Sequence, residues 1–369
     1  METVTARINL SALDYNMKKI CAIAGESKVI AVVKANAYGH GSVACAKVMQ
    51  PYVHGFAVAR LEEALELRQA GIDKMIIMLG GFSRAEDLKT IEEQSLDFTV
   101  HNFEQLEALS RYQGQGCLKA WCQVNVGMQR LGFNEEECAQ AIKMLEDLPC
   151  IAKPCGLISH LSCADDPKTY NYNEEQIAAF VRMSKLSRGV LCLANSAGIL
   201  DFPVSRTTYV RSGIIQYGIT PYGDGRQGAD LGLRPVMNLV TRIIEIRNLK
   251  PGDVVGYGAS WTCTKPTKLA VLAAGYADGY PRSVPNGTPV LLNGRLVKTV
   301  GHVCMDMMFV DIGADAQDKL GDEALLWGEG NPVEGIARSV GTIAYELVTR
   351  PTRRVRYEYV TDEDLIRLN

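Results

Sequence analysis

Lys34 stands directly after the apolar run Ile30–Val33 and opens the segment KANAYGHG. A buried strand that ends in a lysine brings its amine through dry surroundings. Desolvation there disfavours the ammonium form, lowers the pKa and leaves an amine able to form a Schiff base. A solvated lysine just past a strand is the competing reading, and this residue alone does not decide between them. Two later segments add to it: LANSAG carries Ser196, and YVRSGIIQYG carries Arg211, Gly213 and Ile214. The Ser196 hydroxyl and the N–H groups of Gly213 and Ile214 are a donor set suited to a phosphate.

The fold must bring these groups together. Between residues 29 and about 220, eight short apolar runs alternate with helix-patterned stretches. The runs are Val29–Val33, Gly55–Ala59, Met75–Leu79, Asp97–Val100, Lys119–Val124, Gly156–His160, Leu191–Ala194 and Thr208–Arg211. Between them lie LEEALELRQAG, NFEQLEAL, NEEECAQAIKMLEDL and NEEQIAAFVRMSKL, several opening on Asn or with Glu in the first turn, as helix capping favours. Alternation predicts parallel strands joined by right-handed crossovers, and eight units predict a closed barrel, with a doubly wound open sheet as the alternative. The C-terminal strand ends then carry Lys34, His101, Gln123 with Asn125, His160, Asn195–Ser196 and Arg211. Closure makes the lysine on the first strand a neighbour of the phosphate donors on the seventh and eighth. Together they outline a site for pyridoxal phosphate.

After residue 235 the texture changes to short runs (LVTRIIEI, DVVGYGAS, KLAVLAAG, TPVLLNG, MMFVDIG) parted by KPGD, PNG and NGR turn signals. The expected fold is α/β: an N-terminal (β/α)8 TIM-type barrel, residues 1–235, then a mostly antiparallel β domain, residues 236–369. One amphipathic helix is expected around Val333–Val348. With 39 Lys+Arg against 42 Asp+Glu and a net charge of −3, no basic stripe for nucleic acid is present. No apolar run reaches the roughly 20 residues of a membrane span, and METVTARINLSALDYN lacks a signal-peptide core. A cytoplasmic protein is expected. Eleven cysteines without a CxxC pair suit reduced thiols, and five histidines without zinc-ligand spacing indicate no metal site. GDGRQG at 223–228 matches GxGxxG, but the ADLGLRP after it cannot open a crossover helix. His101 and Cys304 read as structural.

The stretches AVVKANAYGHG, FAVARLEEALELRQAGI, GMQRLGF, ISHLSCADD, LANSAG, YVRSGIIQYGITPYG, VVGYGAS, AAGYADGYPR, GHVCMD and AYELV run in order along nearly the whole chain. In them the chain resembles the alanine racemase family of fold-type III pyridoxal-phosphate enzymes. The resemblance implies an isomerase that interconverts L- and D-alanine, feeding wall precursors in a bacterial host. It implies that Lys34 holds the cofactor and serves as one acid/base. Tyr257 would be the other, reaching in from the β domain of a second subunit in a homodimer with shared sites. Arg211 would meet the pyridine nitrogen, with His160 against the ring and supporting it. Tyr38, Ser196, Gly213, Ile214 and Tyr345 would hold the phosphate. Arg130 would touch the cofactor's phenolic oxygen and the substrate carboxylate, with Met305 of the partner subunit on the same carboxylate. Two bases are needed because racemisation removes a proton from one face and returns one to the other. An arginine on the pyridine nitrogen only donates, so that nitrogen stays unprotonated and the electron sink is shallower.

The chain also departs from the family. Many members carry a carbamylated lysine in a pattern like KxDTGMxRLG, where this chain has Gln123, Asn125 and Arg130 in QVNVGMQRLG. Gln123 cannot be carbamylated, so its amide oxygen or a bound anion such as chloride is expected to hold Arg130. His302 stands where the family often has arginine. On the same scaffold, a serine or broad-specificity racemase is the nearest alternative, and Tyr345 crowding the substrate side chain favours alanine. A decarboxylase would need a GGG-type phosphate loop, which is lacking. A non-catalytic single-domain cofactor-binding protein would have no β domain.

Overall fold

The computed structural model describes residues 4–114 and 117–368, so the extreme ends of the two expected domains, 1–3 and 369, lie outside it. Strand β1 (Thr5–Asn9) runs into the helix Leu10–Ala24, whose cap is Asn9; its side chain accepts the Ala12 N–H at 3.0 Å. The expected apolar runs follow as β2 (Lys28–Val32), β3 (Gly55–Val58), β4 (Met75–Met78), β5 (Asp97–Val100), β6 (Lys119–Gln123), β7 (Gly156–Ile158), β8 (Leu191–Cys192) and β9 (Tyr209–Ser212). Each pairs parallel with the next, and β9 returns to β2 with Arg211 opposite Ile30, closing the barrel. The open sheet is excluded. Alternate residues explain the unbroken apolar runs, because both faces are buried. Ile30, Val32, Ala57, Ile77, Trp121, Ile158, Cys192 and Tyr209 fill the barrel, while Ala31, Phe56, Val58, Ile76 and Phe98 pack outward in the larger core.

Asparagines set helix starts as expected at Asn102, which accepts the Gln105 N–H at 2.8 Å, and at Asn134, which forms a capping box with Glu137. The helix expected from Asn173 starts earlier, at Tyr170. Asn173 lies buried inside it and donates from Nδ2 to the carbonyls of Cys163 (2.9 Å) and Thr169 (3.1 Å). A buried amide with two acceptors in reach serves packing, and capping passes to the preceding turn.

The C-terminal strands are β10 (Met237–Leu249), β11 (Val254–Val255), β12 (Trp261–Thr262), β13 (Thr267–Leu272), β14 (Pro289–Leu292), β15 (Arg295–Thr299), β16 (Met308–Asp311), β17 (Glu323–Trp327) and β18 (Arg356–Val360). Their order is β13-β16-β15-β14-β17-β10-β1-β18, and β10 also pairs with β13, so six strands close on one another. All these pairs are antiparallel except β1 with β18. Residues 5–9, expected on the barrel side of 235/236, therefore join the C-terminal sheet. Ala6 and Ile8 point into its core, and on the opposite face Arg7 pairs bidentately with Glu323 at 2.9 Å. The NGR signal is the turn of the β14–β15 hairpin, with φ 47° at Asn293 and 76° at Gly294, as two-residue hairpin loops require. In place of one late helix there are two, Val333–Ser339 and Ala344–Thr349, parted at Gly341 with φ 72°. The second packs so closely on the loop after β2 that a Cβ on Gly39 would lie 1.9 Å from the Val348 carbonyl oxygen. That contact brings the β domain's Tyr345 to the barrel mouth. Among the described residues no helix is long and apolar enough to cross a membrane.

Candidate active site

Lys34 leaves β2 into a turn of four consecutive left-handed residues, Ala35, Asn36, Ala37 and Tyr38, with φ between 51° and 54°. Each such non-glycine residue costs roughly 1–2 kcal/mol, so the surroundings must hold the turn. The Ala37 N–H donates to the Val33 carbonyl at 2.8 Å, and Gly41 N–H to the Asn36 carbonyl at 2.9 Å. The Asn36 side chain accepts the Ser42 N–H at 2.9 Å. Buried His40 bonds the Tyr38 carbonyl through Nδ1 at 2.9 Å and stacks on Tyr217 at 4.4 Å. Tyr217 and Gln216 in turn donate to the Val32 carbonyl, at 2.9 and 2.8 Å.

The turn faces a cavity of about 580 Å³ at the C-terminal end of the barrel, lined by Lys34, Tyr38, Arg130, His160, Ser196, Arg211, Gly213, Ile214 and Tyr345, with Gln123 beside them. Nine expected site residues thus meet in one place. Tyr257 and Met305 do not join them. Both lie exposed on the β domain, at 73% and 53%. Gly256, next to Tyr257, abuts His302, and the Met305 carbonyl accepts the Ala277 N–H at 3.0 Å. His101 lies outside the cavity as well. Asp165, Tyr222 and Glu334 line it although no spacing argument singles them out. The first two sit inside ISHLSCADD and ITPYG; Glu334 comes from the other domain and is found only by folding.

Arg211 is buried, and its guanidinium is fixed from several sides. One terminal nitrogen donates to the Ser159 carbonyl (2.5 Å) and to His160 Nδ1 (3.1 Å), the other to the Cys192 carbonyl (3.3 Å) and Sγ (3.0 Å). Because arginine only donates, His160 must accept at Nδ1 and carry its proton on Nε2. Burial, then the nearby charges of Arg211, Arg130 and Lys34, hold the His160 pKa well below its usual value, so the ring is neutral.

Ser196, just after the helix cap Asn195, accepts the Gly213 N–H at 3.0 Å. Ile214 opens a short 3₁₀ turn, where its N–H has no partner within the turn. A Cβ built on Gly213 would lie 3.2 Å from the Tyr38 hydroxyl and 3.4 Å from Ser196 Oγ. The glycine therefore keeps open a small concavity ringed by two hydroxyls and backbone donors. Burial pushes the Tyr38 phenol up to about 12 and raises Tyr345 too, so both stay protonated donors.

Burial lowers the Lys34 pKa, and the charges of Arg130 and Arg211 lower it further, with Glu63 opposing them. The expected bond from the Gln123 amide oxygen to Arg130 is not formed. Gln123 Oε1 is buried without a partner, and a void of about 10 Å³ adjoins Gln123, Arg130 and His160. Asn125, in the acid's place, organises the loop: its Oδ1 accepts the N–H groups of Gly127 (3.0 Å) and Gln129 (3.1 Å). The neutral amide has no charge with which to draw in the guanidinium.

A parallel barrel that directs a desolvated lysine, a buried arginine and a ring of hydroxyl and N–H donors into one cavity defines a class, the lysine-anchored pyridoxal-phosphate barrel enzymes. Residues 8–221 match the alanine racemase N-terminal domain and residues 236–359 the alanine racemase C-terminal domain. The chain belongs to the alanine racemase family. It is 45% identical over 361 residues to the alanine racemase of Photobacterium profundum, covering 98% of this chain and all of that one. The crystal structure of biosynthetic alanine racemase from Pseudomonas aeruginosa superimposes with a TM-score of 0.92 at 37% identity, covering 98% of this chain and 100% of that one. The alanine racemase of Bartonella henselae, whose structure has covalently bound pyridoxal phosphate, gives 0.87 at 30% identity, covering 97% and 99%.

Proposed function

We propose that this chain is a pyridoxal-phosphate-dependent isomerase that interconverts L- and D-alanine. One observation carries the reading: eight residues expected from separate strands and from both domains line a single cavity with Lys34. The residues present fit the cofactor. The concavity that a Gly213 Cβ would fill offers the Tyr38 and Ser196 hydroxyls to a phosphate, with Gly213, Ile214 and Tyr345 alongside. When bound, pyridoxal phosphate supplies the electron sink that acidifies the α-C–H of an amino acid.

Lys34 would hold the cofactor and move the α-proton on one face, a task suited to an amine whose pKa burial and neighbouring cations lower. Arg211, as a pure donor, would bond a pyridine nitrogen that stays unprotonated, and neutral His160 would keep the guanidinium in place. Arg130, near Lys34 and without a bonding partner among the described residues, would take the substrate carboxylate. A water or small anion such as chloride in the void beside Gln123 would orient it. The opposite face needs a second base. Tyr257, exposed and outside its own chain's cavity, would supply it to a second copy, and Met305 would serve that copy's substrate carboxylate, in a homodimer that shares its sites.

The test is conversion of L-alanine to D-alanine with α-deuterium uptake in heavy water. Lys34→Ala and Tyr257→Phe chains are each expected to be inactive, and their mixture to regain activity through one intact site per mixed dimer. No recovery overturns the shared site. Equal catalytic efficiency on L-serine would replace alanine specificity by a broad one.

A further inference from the structure

We infer that Glu63 is a positioning residue for Lys34, its carboxylate clamping the exits of β2 and β3 so that the lysine leaves the barrel in one direction. The inference rests on the reading of Lys34 as the reacting amine. Glu63 lies in the first turn of the helix Leu61–Gln69. Its Oε1 accepts the Ala35 N–H at 2.7 Å, and its Oε2 accepts the N–H groups of Ala59 (2.7 Å) and Arg60 (3.2 Å). A helix-capping role accounts for the Arg60 bond alone. The other two bind the chain just after β2 to the chain just after β3, parallel neighbours that pair Val32 with Ala57. Ala35 is also the first left-handed residue. Its N–H belongs to the peptide that follows Lys34, so fixing that N–H fixes the lysine's own ψ. The remaining ties of the strained turn, at Ala37, Gly41 and Ser42, lie further along the chain.

Glu63 also acts on the lysine's charge. Lys34 is faced by Arg130 from the loop after β6, His160 from the end of β7, Arg211 on β9 and Glu63 from the helix after β3. Of the four, only the carboxylate favours the ammonium form. Removing it shifts the amine's titration to lower pH.

Glu63→Gln in the holoenzyme tests this. A carboxamide has one acceptor oxygen, and its NH₂ would face a backbone donor at one of the two exits, so it cannot span them. We expect kcat to fall about tenfold with KM little changed, the lower range for a hydrogen bond to a charged group. Amide hydrogen exchange over residues 33–41 should accelerate, and the acid limb of the kcat profile, which reports the lysine amine once substrate has displaced it from the cofactor, should move to lower pH. Asn102→Ala removes a matched capping bond, at 2.8 Å to Gln105, and should leave all three readings unchanged. Unchanged kcat and exchange in Glu63→Gln overturn the inference, as does an equal effect of Asn102→Ala. Should Glu63→Gln fail to fold, Glu63→Asp, too short to bridge both exits, gives the same fall in kcat and the same faster exchange, with the acid limb moved less because the charge is kept. Borohydride labelling of the wild type separates the two questions: a label absent from Lys34 sinks the reading of the lysine, whereas a label on Lys34 with unaltered Glu63 variants sinks only the clamp.

Discussion

Ser196→Ala tests how the cavity would hold a phosphate. Because Ser196 Oγ accepts the Gly213 N–H at 3.0 Å, its own proton is free to donate into the concavity. Alanine removes that donor. A hydrogen bond to a charged group contributes about 1.5–3 kcal/mol, so the dissociation constant for pyridoxal phosphate should rise roughly ten- to hundred-fold. The Gly213 N–H, released from Oγ, can turn to the phosphate and draws the value toward the lower figure. Gly213→Ala acts differently, since its Cβ would lie 3.2 Å from the Tyr38 hydroxyl and would occupy the concavity itself. It should weaken the cofactor more than Ser196→Ala does. Equilibrium dialysis of cofactor-depleted protein, read by absorbance, gives the constants, and urea unfolding checks that the fold survives. Wild-type affinity in both variants would refute the placement of the phosphate.

Asp97, at the start of β5, bonds Trp121 Nε1–H at 2.9 Å, leaves Oδ1 without a partner, and is pushed by burial up to about 6. The folded chain therefore keeps a proton that the unfolded chain releases near 3.9, so stability is greatest below about pH 4 and falls as pH rises toward 6. Asp97→Asn should then stabilise the protein in urea by up to ~3 kcal/mol at pH 7 and by nothing near pH 4; a gain independent of pH would contradict this. Arg211→Lys concentrates its donors on one atom that cannot reach both His160 and the Cys192 carbonyl. At least one buried acceptor goes unmet, at about 1–3 kcal/mol, and unaltered urea stability would count against the fixed guanidinium.

The barrel is legible in the chain because a strand buried on both faces needs an unbroken apolar run, and all eight runs became strands. The meeting of the cavity residues was legible for a related reason: strand ends in a closed barrel share one mouth, so Ser196 and Gly213 line one cavity with Lys34. β1 was not legible, since its partners in β10 and β18 lie more than two hundred residues away and five residues of alternation carry no register. Gly341 divides the late helix through a left-handed backbone that an amphipathic pattern does not register. Gln123 illustrates a different limit. Composition shows that it cannot be carbamylated, but not that its oxygen would be left without a bond to Arg130. Glu63 was hidden because its bonds are to backbone N–H groups, which leave no trace in side-chain spacing.

The central claim is that the amine of Lys34 holds the cofactor. Borohydride reduction of the purified holoenzyme, followed by proteolysis and peptide mapping, tests it most directly. The pyridoxyl group is expected on Lys34 alone, in the peptide bearing VVKANAYGHG. A label on another lysine, or on none, would contradict the account.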